Sequence, residues 1–501
     1  MLLNKEIGAF IKNAREARGM TQAQLAVRMR TTQSVIARLE RGERNFTSAT
    51  LNKLSNALHR RIFSLHDSMD FEITGGKKLS GSITVNGSKN GAMGLLCASL
   101  LNKGITTLHN IPRIEEVQRI IEVMQSIGVS VAWVDNHSLV IRPPKKLRLS
   151  SIDPRAARAT RSVLMMMGAF IHHSPRFGIP QSGGCKMGER TIAAHRYAFE
   201  KMGVQIKSTS NEYIIATKVV HSADIVMYEA SDTATENILI AAAALSGTTT
   251  IRFAPPNYQV QDVAHFLEGL GAQVKGVTTH QMEITGMGSL ANKSFSYSNG
   301  EDPIEAMMFI VAALVTRSQL TIKRCPIDFL QVELEKMKRM GAKFGVSETY
   351  ISENGWMRLV DITVFPSSLT ALHDKIHSLP YPGINTDNLP FFVPLAVLAK
   401  GITLIHDWMW ENRAIYFTEL NKLGAEIVLA DPHRVFIHGP STLRPSQVVC
   451  PPALRPAMIV LIAMLATPGT SVLRNVYSIA RGYEDVAMRL NSLGADIKII
   501  S

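Results

Sequence analysis

A unit of one helix, one glycine and one strand recurs along most of this chain, and it constrains the fold more than any other feature. In each copy an amphipathic helix ends at an apolar residue, and glycine, a small residue and an alternating strand follow. Glycine suits a helix end because its left-handed conformation carries no Cβ penalty. The six glycines are Gly128, Gly203, Gly271, Gly341, Gly424 and Gly494.

A second sequence pattern alternates with the helix-glycine-strand unit: a helix rich in Ala and Leu, a turn, and a strand rich in β-branched residues. Examples are AAALSGTTTIRFAP from Ala242 and AVLAKGITLIHDW from Ala396. The spacing of roughly 70 to 80 residues is longer than a solenoid repeat and suits a β-α-β-α-β-β unit. Six copies in near-regular register predict a repeated α/β architecture from about residue 70 onwards.

Length and composition set further limits. A chain of 501 residues exceeds one compact core, so we expect two or three domains. The most apolar run, AMIVLIAMLA (457–466), is too short to span a bilayer and lies between Pro456 and Pro468. It predicts a buried core helix, and we expect no membrane association.

The cysteines carry information about compartment and metals. They lie far apart, with no C-x-x-C pair and no matching histidine spacing. This excludes the usual zinc and disulfide patterns and favours a reducing, cytoplasmic location. We expect no metal and no cofactor. The four cysteines are Cys97, Cys185, Cys325 and Cys450.

The first 67 residues form a basic segment of their own, with twelve Lys and Arg against five Asp and Glu. Thr21 stands three residues before Gln24, the capping-box pattern that opens a helix. A short turn follows, and residues 33–41 form a second helix that Gly42 ends. Two short helices joined by a tight turn on a basic background predict a small all-α helix-turn-helix domain.

This segment resembles the Cro/repressor-like family through TQAQLA (21–26) and QSVIARLERG (33–42). The resemblance implies that the second helix enters the major groove of DNA. Three of its residues would then face base edges, and two others would meet the phosphate backbone. The alternative is a dimerisation or protein-docking module. The residues are Gln33, Ser34 and Arg38 for the bases, and Gln22 and Arg44 for the backbone.

One loop, QSGGCKMGER (181–190), stands out chemically. Its glycines allow an open backbone, since glycine adopts positive φ at no steric cost. Lys186 and Arg190 flank Cys185, and neighbouring cations favour a reactive thiolate. The alternative is a small buried apolar cysteine.

Six such units with a GGC loop in the second resemble the enolpyruvyl transferases, most closely those that use UDP-N-acetylglucosamine. The similarity covers about residues 69–501. Any one motif alone is weak, but their shared order is specific. The motifs are NGSKN (86–90), TRS (160–162), GGCKMGER (183–190), ATEN (234–237), NTD (385–387), ENR (411–413), LR (454–455) and RGYE (481–484).

The resemblance implies a fold of two inside-out α/β barrels of three repeats each, with the active site in the cleft between them. The first strand would cross over to complete the C-terminal barrel. The expected domains are the helix-turn-helix (1–67), a barrel carrying the Cys185 loop (89–300), and a C-terminal barrel (70–88 with 301–501).

The implied reaction moves the enolpyruvyl group of phosphoenolpyruvate to the 3-hydroxyl of UDP-N-acetylglucosamine, the first committed step of peptidoglycan synthesis. By resemblance, Cys185 protonates the methylene carbon and Asp387 is the base for the sugar hydroxyl. Lys89 is the third catalytic residue. The implied substrate-binding residues are Asn90, Arg161, Arg190, Asp302, Arg413, Arg455 and Arg481.

Two of the residues that match the family also have an interpretation as structural residues. Asp302 can orient the cleft or cap a helix. His195 matches a histidine near the loop, and we expect it to be a hydrogen-bonded structural residue.

The lysine and arginines of the implied site repel one another, and this repulsion favours an open cleft until an anionic substrate binds.

The chain departs from the family pattern mainly on the nucleotide side. Ala453 replaces an aspartate, Thr191 a proline and Ala193 another aspartate. Ser-Asp-Thr (231–233) replaces Ser-Val-Gly in a loop that approaches the diphosphate, where Asp232 would repel it and Thr233 obstruct it. Asn-Tyr-Gln (257–259) replaces Glu-Pro-Glu.

These departures leave two alternatives open. One is an enolpyruvyl transferase with a different nucleotide or sugar acceptor. The other is a DNA-binding regulator whose transferase-like part senses a metabolite.

Overall fold

The computed structural model describes Gly8, Ile11, Lys12, Arg15, Thr50, Leu54 and residues 20–29, 31–43, 69–181 and 191–500. The chain divides into two compact units, Met1–Ser68 and Met69–Ile500. Each is described by itself.

The N-terminal unit contains the helices Gln22–Arg28 and Gln33–Glu40. The predicted capping box is confirmed: the Thr21 hydroxyl accepts from the Gln24 amide, and the Gln24 side chain accepts from the Thr21 amide at 2.8 Å. Leu25, Ile36 and Leu39 are fully buried where the helices pack. The predicted pair of short helices is therefore confirmed among the residues described.

The second unit contains six sheets in its described part. In five of them a parallel pair of strands is extended by two antiparallel strands. With the strands of each sheet in spatial order, the first two sheets are Phe295–Ser298, Thr106–His109, Leu139–Arg142, Ser130–Trp133; and Arg176–Pro180, Glu212–Thr217, Val204–Ser208. The next two are Asp224–Val226, Thr248–Arg252, Gln281–Thr285, Gln273–Lys275; and Ser82–Thr84, Leu320–Pro326, Arg358–Phe365, Lys343–Val346. The last two are Ile376–His377, Gly401–His406, Arg434–Gly439, Glu426–Asp431; and Gln447–Val449, Gly469–Arg474, Asp70–Gly75, Ile497–Ile500. Tyr350–Ile351 also pairs with Arg358–Phe365.

The first strand of this unit lies in the last sheet. Asp70–Gly75 pairs antiparallel with both Gly469–Arg474 and Ile497–Ile500, and Phe71 stands opposite Leu473 on one side. The start of the unit thus completes a sheet formed by C-terminal residues, as the resemblance implied.

Helices connect the strands and fill the interior. The six glycines that follow helices all have positive φ, between +85° and +123°, as a left-handed helix end requires. The helices are Lys89–Ala98, Glu115–Ser126, Pro154–Ala159, Met167–Phe170, Ala193–Lys201, Asp232–Ala243, Tyr258–Leu270, Pro303–Val315, Gln331–Arg339, Phe392–Leu398, Leu454–Ala466, Tyr477–Ala480 and Val486–Asn491. The 3₁₀ segments are Ser99–Leu101, Leu149–Ser151, Arg161–Met166, Ile327–Phe329, Leu389–Phe391 and Ala414–Leu423.

Two hydrophobic cores organise the unit. The first draws its buried residues from 92–284, and the second draws them mainly from 71–85 and 304–497. Every residue of Pro303–Val315 is buried in the second core. Leu454–Ala466 is buried there as well except at its two ends, so the buried helix predicted over 457–466 is confirmed. Among the described residues, no helix has both the length and the apolar character that crossing a membrane needs.

The chain passes between the two cores at residues 86–88 and 299–302, and these segments lie side by side. The Ser88 amide donates to the Gly300 carbonyl at 2.7 Å, and the Asp302 amide donates to the Asn86 carbonyl at 2.9 Å. Gly87 is needed because a Cβ there would lie 1.7 Å from the Asn110 carbonyl oxygen. The crossing places Lys89, the next residue, at the junction of the cores.

Candidate active site

Lys89 and Arg481 come from opposite cores and meet at one carboxylate. Lys89 is the first residue of Lys89–Ala98, whose N-terminus the Ser88 hydroxyl caps. Its Nζ donates to Glu116 Oε2 at 3.1 Å, and Arg481 Nη2 lies 3.7 Å from Glu116 Oε1. Two predicted cations are thus brought together.

Glu116 is the counter-ion of this pair. Burial alone would raise the pKa of Glu116, but the charges of Lys89 and Arg481 outweigh it and hold the pKa below its ordinary value. The Thr160 hydroxyl donates to the same carboxylate at 3.3 Å. Glu116 is therefore ionised and fixes both cations before any substrate binds.

Asp387 lies between two buried arginines. Arg455 Nη2 donates to Asp387 Oδ2 at 3.0 Å, and Arg413 Nη1 is 3.9 Å from Oδ1. Burial would raise the pKa of Asp387, but Arg455, Arg413 and the more distant Lys89 lower it below its ordinary value. The carboxylate is therefore ionised and can accept a proton.

The two arginines are held rigidly, as 1% exposure of Arg413 and 4% of Arg455 indicate. Arg413 Nη2 donates to Asp407 Oδ1 at 2.8 Å and to the Thr386 carbonyl at 2.7 Å. Arg455 Nη1 donates to the Tyr483 hydroxyl at 2.7 Å. Its Nε is buried with no hydrogen-bond partner among the described residues.

Asp302 caps a helix and also contacts the start of Lys89–Ala98. Its Oδ1 accepts from the Ile304 amide at 2.8 Å, and its Oδ2 lies 3.4 Å from the Lys89 amide. Burial raises the pKa of Asp302, and the charge of Arg455 opposes that rise. The capping interpretation is confirmed, at a position that also faces the arginines. Nearby, Asn90 Nδ2 donates to the Tyr258 hydroxyl at 2.9 Å.

Arg161 contacts Thr191, the first described residue after the cysteine loop. Its Nη2 donates to the Thr191 carbonyl at 2.7 Å. Cys185 and Arg190 lie outside the described residues.

His195 is buried and contacts Asn237 Nδ2 at 3.1 Å through Nδ1. Burial and the charge of Arg161 lower the pKa of His195 to about 3, so the ring is neutral. The structural interpretation of His195 is confirmed.

The departures on the nucleotide side form one cluster. Asp232 Oδ2 accepts from Asn257 Nδ2 at 2.9 Å and from Gln259 Nε2 at 2.7 Å. Burial, with a smaller contribution from the charge of Asp387, raises the pKa of Asp232 to about 6. His195 Nε2 lies 3.4 Å from the hydroxyl oxygen of the following Thr233. Replacements that are 25 residues apart in the sequence thus touch in space.

Ala453 occupies the N-cap position of Leu454–Ala466, where no side chain caps the helix. An aspartate there would supply an acceptor for the helix amides. Its absence leaves the N-terminus of this helix uncapped two residues before Arg455.

Three residues of the site were missed by the sequence reasoning: Glu116, Asp407 and Tyr483. Glu116 resembles an ordinary acidic residue in the first turn of a helix, and Asp407 an ordinary residue after a strand. Tyr483 lies inside the RGYE motif, so its position in that motif was an available signal. Among the described residues, no group of three or more His, Cys, Asp or Glu side chains is placed to bind a metal.

In the N-terminal unit, Gln33, Ser34 and Arg38 are all exposed on Gln33–Glu40. Gln22 donates one amide hydrogen through Nε2 to Glu40 Oε2 at 2.9 Å within the same unit. Arg44 lies outside the described residues.

Two cores of α/β sheets, with buried cations surrounding one ionised aspartate where they join, fit the enolpyruvyl transferase class. Residues 73–490 match the family described as EPSP synthase (3-phosphoshikimate 1-carboxyvinyltransferase), and residues 11–64 match the family described as Helix-turn-helix. The chain belongs to this carboxyvinyltransferase family and carries an N-terminal helix-turn-helix domain.

Curated relatives are similar over nearly their whole length. The chain is 33% identical over 432 residues to UDP-N-acetylglucosamine 1-carboxyvinyltransferase of Bradyrhizobium diazoefficiens, which covers 86% of this chain and 98% of the relative. It is 31% identical over 426 residues to the protein of the same name from Borrelia garinii subsp. bavariensis, which covers 85% and 98%.

Solved structures share the fold. The enolpyruvyl transferase NikO from Streptomyces tendae superposes with a TM-score of 0.73 at 22% identity, covering 86% of this chain and 99% of that chain. EPSP synthase from Acinetobacter baumannii has a TM-score of 0.68 at 19% identity, covering 86% and 100%.

Proposed function

We propose that this protein transfers the enolpyruvyl group of phosphoenolpyruvate to the 3-hydroxyl of UDP-N-acetylglucosamine, in the cytoplasm, as the first committed step of peptidoglycan synthesis. The observation that carries the proposal is the Asp387 carboxylate held between Arg413 and Arg455. Phosphoenolpyruvate brings a carboxylate and a phosphate, which need several fixed cations. Lys89 and Arg481, paired on Glu116, supply two more.

The reaction has two steps. In the addition, the acceptor oxygen bonds to C2 of phosphoenolpyruvate, its proton passes to Asp387, and C3 takes a proton from Cys185. In the elimination, the Cys185 thiolate takes a proton back from C3, the C2–C3 double bond re-forms, and the C2–O bond to phosphate breaks. The departing phosphate oxygen takes the proton held by Asp387, so both residues return to their starting states. The products are the enolpyruvyl ether and inorganic phosphate.

Substrate binding would prepare Asp387 for its role. In the free site Arg455 and Arg413 lower the pKa of Asp387, which makes it a weak base. An anionic substrate that engages the same guanidinium groups reduces their attraction for the carboxylate and raises its pKa. Asp387 thus becomes a stronger base when phosphoenolpyruvate is bound.

The remaining roles complete the proposal. Asn90, Arg161, Arg190 and Asp302 would contact substrate from the walls of the cleft. The two hydrophobic cores would correspond to the two inside-out barrels of three repeats, with boundaries at 89–300 and at 70–88 with 301–501.

Phosphate release tests the reaction. The full chain is incubated with phosphoenolpyruvate and UDP-N-acetylglucosamine, beside Cys185→Ala and Asp387→Ala. We expect turnover that Asp387→Ala abolishes. Turnover with another nucleotide sugar only would support the alternative acceptor. An absence of turnover, combined with DNA binding that the ligands change, would support the regulator.

The exposed Gln33, Ser34 and Arg38 favour a second function, sequence-specific DNA binding by residues 1–67. Gln33→Ala should relax base specificity, because a good bidentate contact contributes about 1–3 kcal/mol of discrimination. Fluorescence anisotropy with selected DNA duplexes would measure it. A DNA affinity that does not depend on Gln33 and Arg38 would favour the docking alternative. Gln22 and Arg44 are the proposed contacts to the DNA phosphate backbone.

A further inference from the structure

Two short segments, one from each hydrophobic core, meet beside the candidate site. The first core contributes the start of the helix Glu115–Ser126, and the second contributes residues 481–484. The Glu116 amide donates to the Arg481 carbonyl at 3.3 Å. The first amides of a helix have no partner within the helix, so the second core supplies an acceptor that this N-terminus needs.

Glu484 makes a second contact across the same junction. Its Oε2 accepts from the Arg113 amide at 3.0 Å, and its Oε1 lies 3.0 Å from His137 Nε2. Arg113 precedes the helix Glu115–Ser126, and His137 lies in the turn that precedes the strand Leu139–Arg142. One carboxylate of the second core is thus bound by two separate elements of the first.

The turn that carries His137 is itself held in place. Arg113 Nη2 donates to the Asp135 carbonyl at 2.7 Å, and the Arg113 guanidinium lies 4.3 Å from the centre of the Trp133 ring. The His137 amide donates to Asp135 Oδ1 at 2.8 Å. The imidazole that reaches Glu484 is therefore fixed from the first core, and the contact joins two ordered elements.

The charged groups around His137 make this contact depend on pH. The hydrogen bond to Glu484 raises the pKa of His137 above its ordinary value. Burial and the charge of Arg113 oppose that rise, and the charge of Asp135 supports it. Burial would raise the pKa of Glu484, but His137, the Arg113 amide and the charge of Arg489 lower it. The contact is therefore strongest below the pKa of His137 and weakens as the pH rises through it.

We propose that His137 is a positioning residue that, when protonated, holds residues 481–484 against the first core through Glu484. Arg481 is then kept beside Lys89, where both cations face Glu116 and await an anionic substrate. The role in substrate binding rests on the proposed function, whereas the contact between the cores does not. His137 acts through Glu484, three residues after Arg481 in the chain.

Hydrogen exchange of the full chain tests the contact. The amides of Arg113 and Glu116 both bond to the second core, so their exchange reports on separation of the two cores. His137→Gln keeps a side-chain donor but no titrating ring. At pH 6 it should exchange these amides about three- to fivefold faster than the wild type, as for loss of a partly exposed ion pair. At pH 8.5 the two proteins should agree within about twofold.

Two further variants sharpen this measurement. His137→Lys keeps a cation at both pH values, and at pH 8.5 it should exchange the same amides about three- to fivefold more slowly than the wild type. His221→Gln changes an exposed histidine of the first core whose Nδ1 lies 3.0 Å from the Ser222 carbonyl, and should have no effect. Melting temperatures establish that each variant is folded, and His137→Lys decides the question if His137→Gln is not.

Phosphate release tests the consequence for the reaction. At pH 6 the KM of phosphoenolpyruvate for His137→Gln should rise about three- to fivefold, because Arg481 is held less firmly beside Lys89. At pH 8.5 this KM should stay within about twofold of the wild-type value. The kcat should stay within about twofold at both pH values, since Asp387 is not displaced.

The outcomes separate this inference from the proposed function. Exchange that His137→Gln leaves unchanged at pH 6, or changes equally at both pH values, overturns the inference even if the wild type turns over. The expected exchange without any wild-type turnover supports the contact and overturns the proposed function. Turnover with the expected exchange but an unchanged KM overturns the role of His137 in positioning Arg481.

Discussion

Two clusters of the second unit, the cationic wall and the amide wall, differ in the groups that surround their carboxylates. On the cationic wall, formed by Lys89, Arg413, Arg455 and Arg481, each charge faces a carboxylate. On the amide wall, formed by Asp232, Asn257 and Gln259, one carboxylate is held by two neutral amides.

The pKa values show the difference between these walls. Burial opposes ionisation on both walls, but arginines outweigh it at Asp387, whose pKa is lowered. The amides do not outweigh it at Asp232, whose pKa is raised to about 6. Two carboxyl groups thus acquire different protonation behaviour from their neighbours alone. Asp387 is held ionised, and Asp232 takes up a proton more readily.

The largest effect is expected from Asp387→Asn, because it removes the proposed base from the cationic wall. The kcat for phosphate release should fall about 10²- to 10⁴-fold, the usual contribution of a general base. Asp328→Asn, in an ion pair with Arg358 outside the cleft, should leave kcat within about twofold. A fall of less than tenfold in the Asp387 variant would mean that this residue is not the base.

Arg413→Met tests whether the cationic wall is preorganised. The substitution leaves Asp407, which is 0% exposed, without its counter-charge. Breaking a buried pair in this way costs about 3–5 kcal/mol, measurable as a lower free energy of unfolding in guanidinium. Arg434→Met breaks an exposed pair with Asp431 and should cost less than about 1 kcal/mol. Equal losses in the two variants would contradict the comparison.

Tyr483→Phe removes one hydrogen bond from the cationic wall. The Tyr483 hydroxyl accepts from Arg455 Nη1, and the Nε of the same guanidinium already lacks a partner among the described residues. Loss of a hydrogen bond to a charged group should lower the free energy of unfolding by about 1.5–3 kcal/mol. Thermal and chemical denaturation measure it. Tyr228→Phe, at an exposed tyrosine, is the control and should have no effect.

The smallest effect concerns the amide wall and the pH dependence of stability. The pKa of Asp232 rises from 3.8 to about 6 on folding, so the folded state holds this proton more tightly. Its contribution favours folding at low pH and is lost as the pH rises from about 4 to about 6. Relative to the wild type, Asp232→Asn should therefore gain stability between pH 5 and pH 7.5, by about 1.4 kcal/mol. A relative loss over that range would show that Asp232 has a lowered pKa like Asp387.

Sequence patterns predicted the local structure and most of the cationic wall. The capping box at Thr21, the glycine ends of helices and the buried helix over 457–466 each depend on neighbours a few residues away. Motif positions also singled out Lys89, Arg413, Arg455 and Arg481, of which Arg413 and Arg455 pair with Asp387 in the structure.

The partners of these residues were harder to predict. Lys89 and Glu116 are 27 residues apart, and Asp387 and Arg455 are 68 apart. The departures at 232 and at 257–259 looked like separate losses in the sequence. In the structure they are one hydrogen-bonded cluster. No local periodicity encodes such pairings.

The sequence by itself therefore determined the elements, the residue types available for chemistry and the family. The tertiary structure alone decided which charges meet, which are buried and which remain without a partner. The physical reason is that periodicity and capping act within a few residues, whereas desolvation and charge pairing depend on distances that only the packed chain establishes.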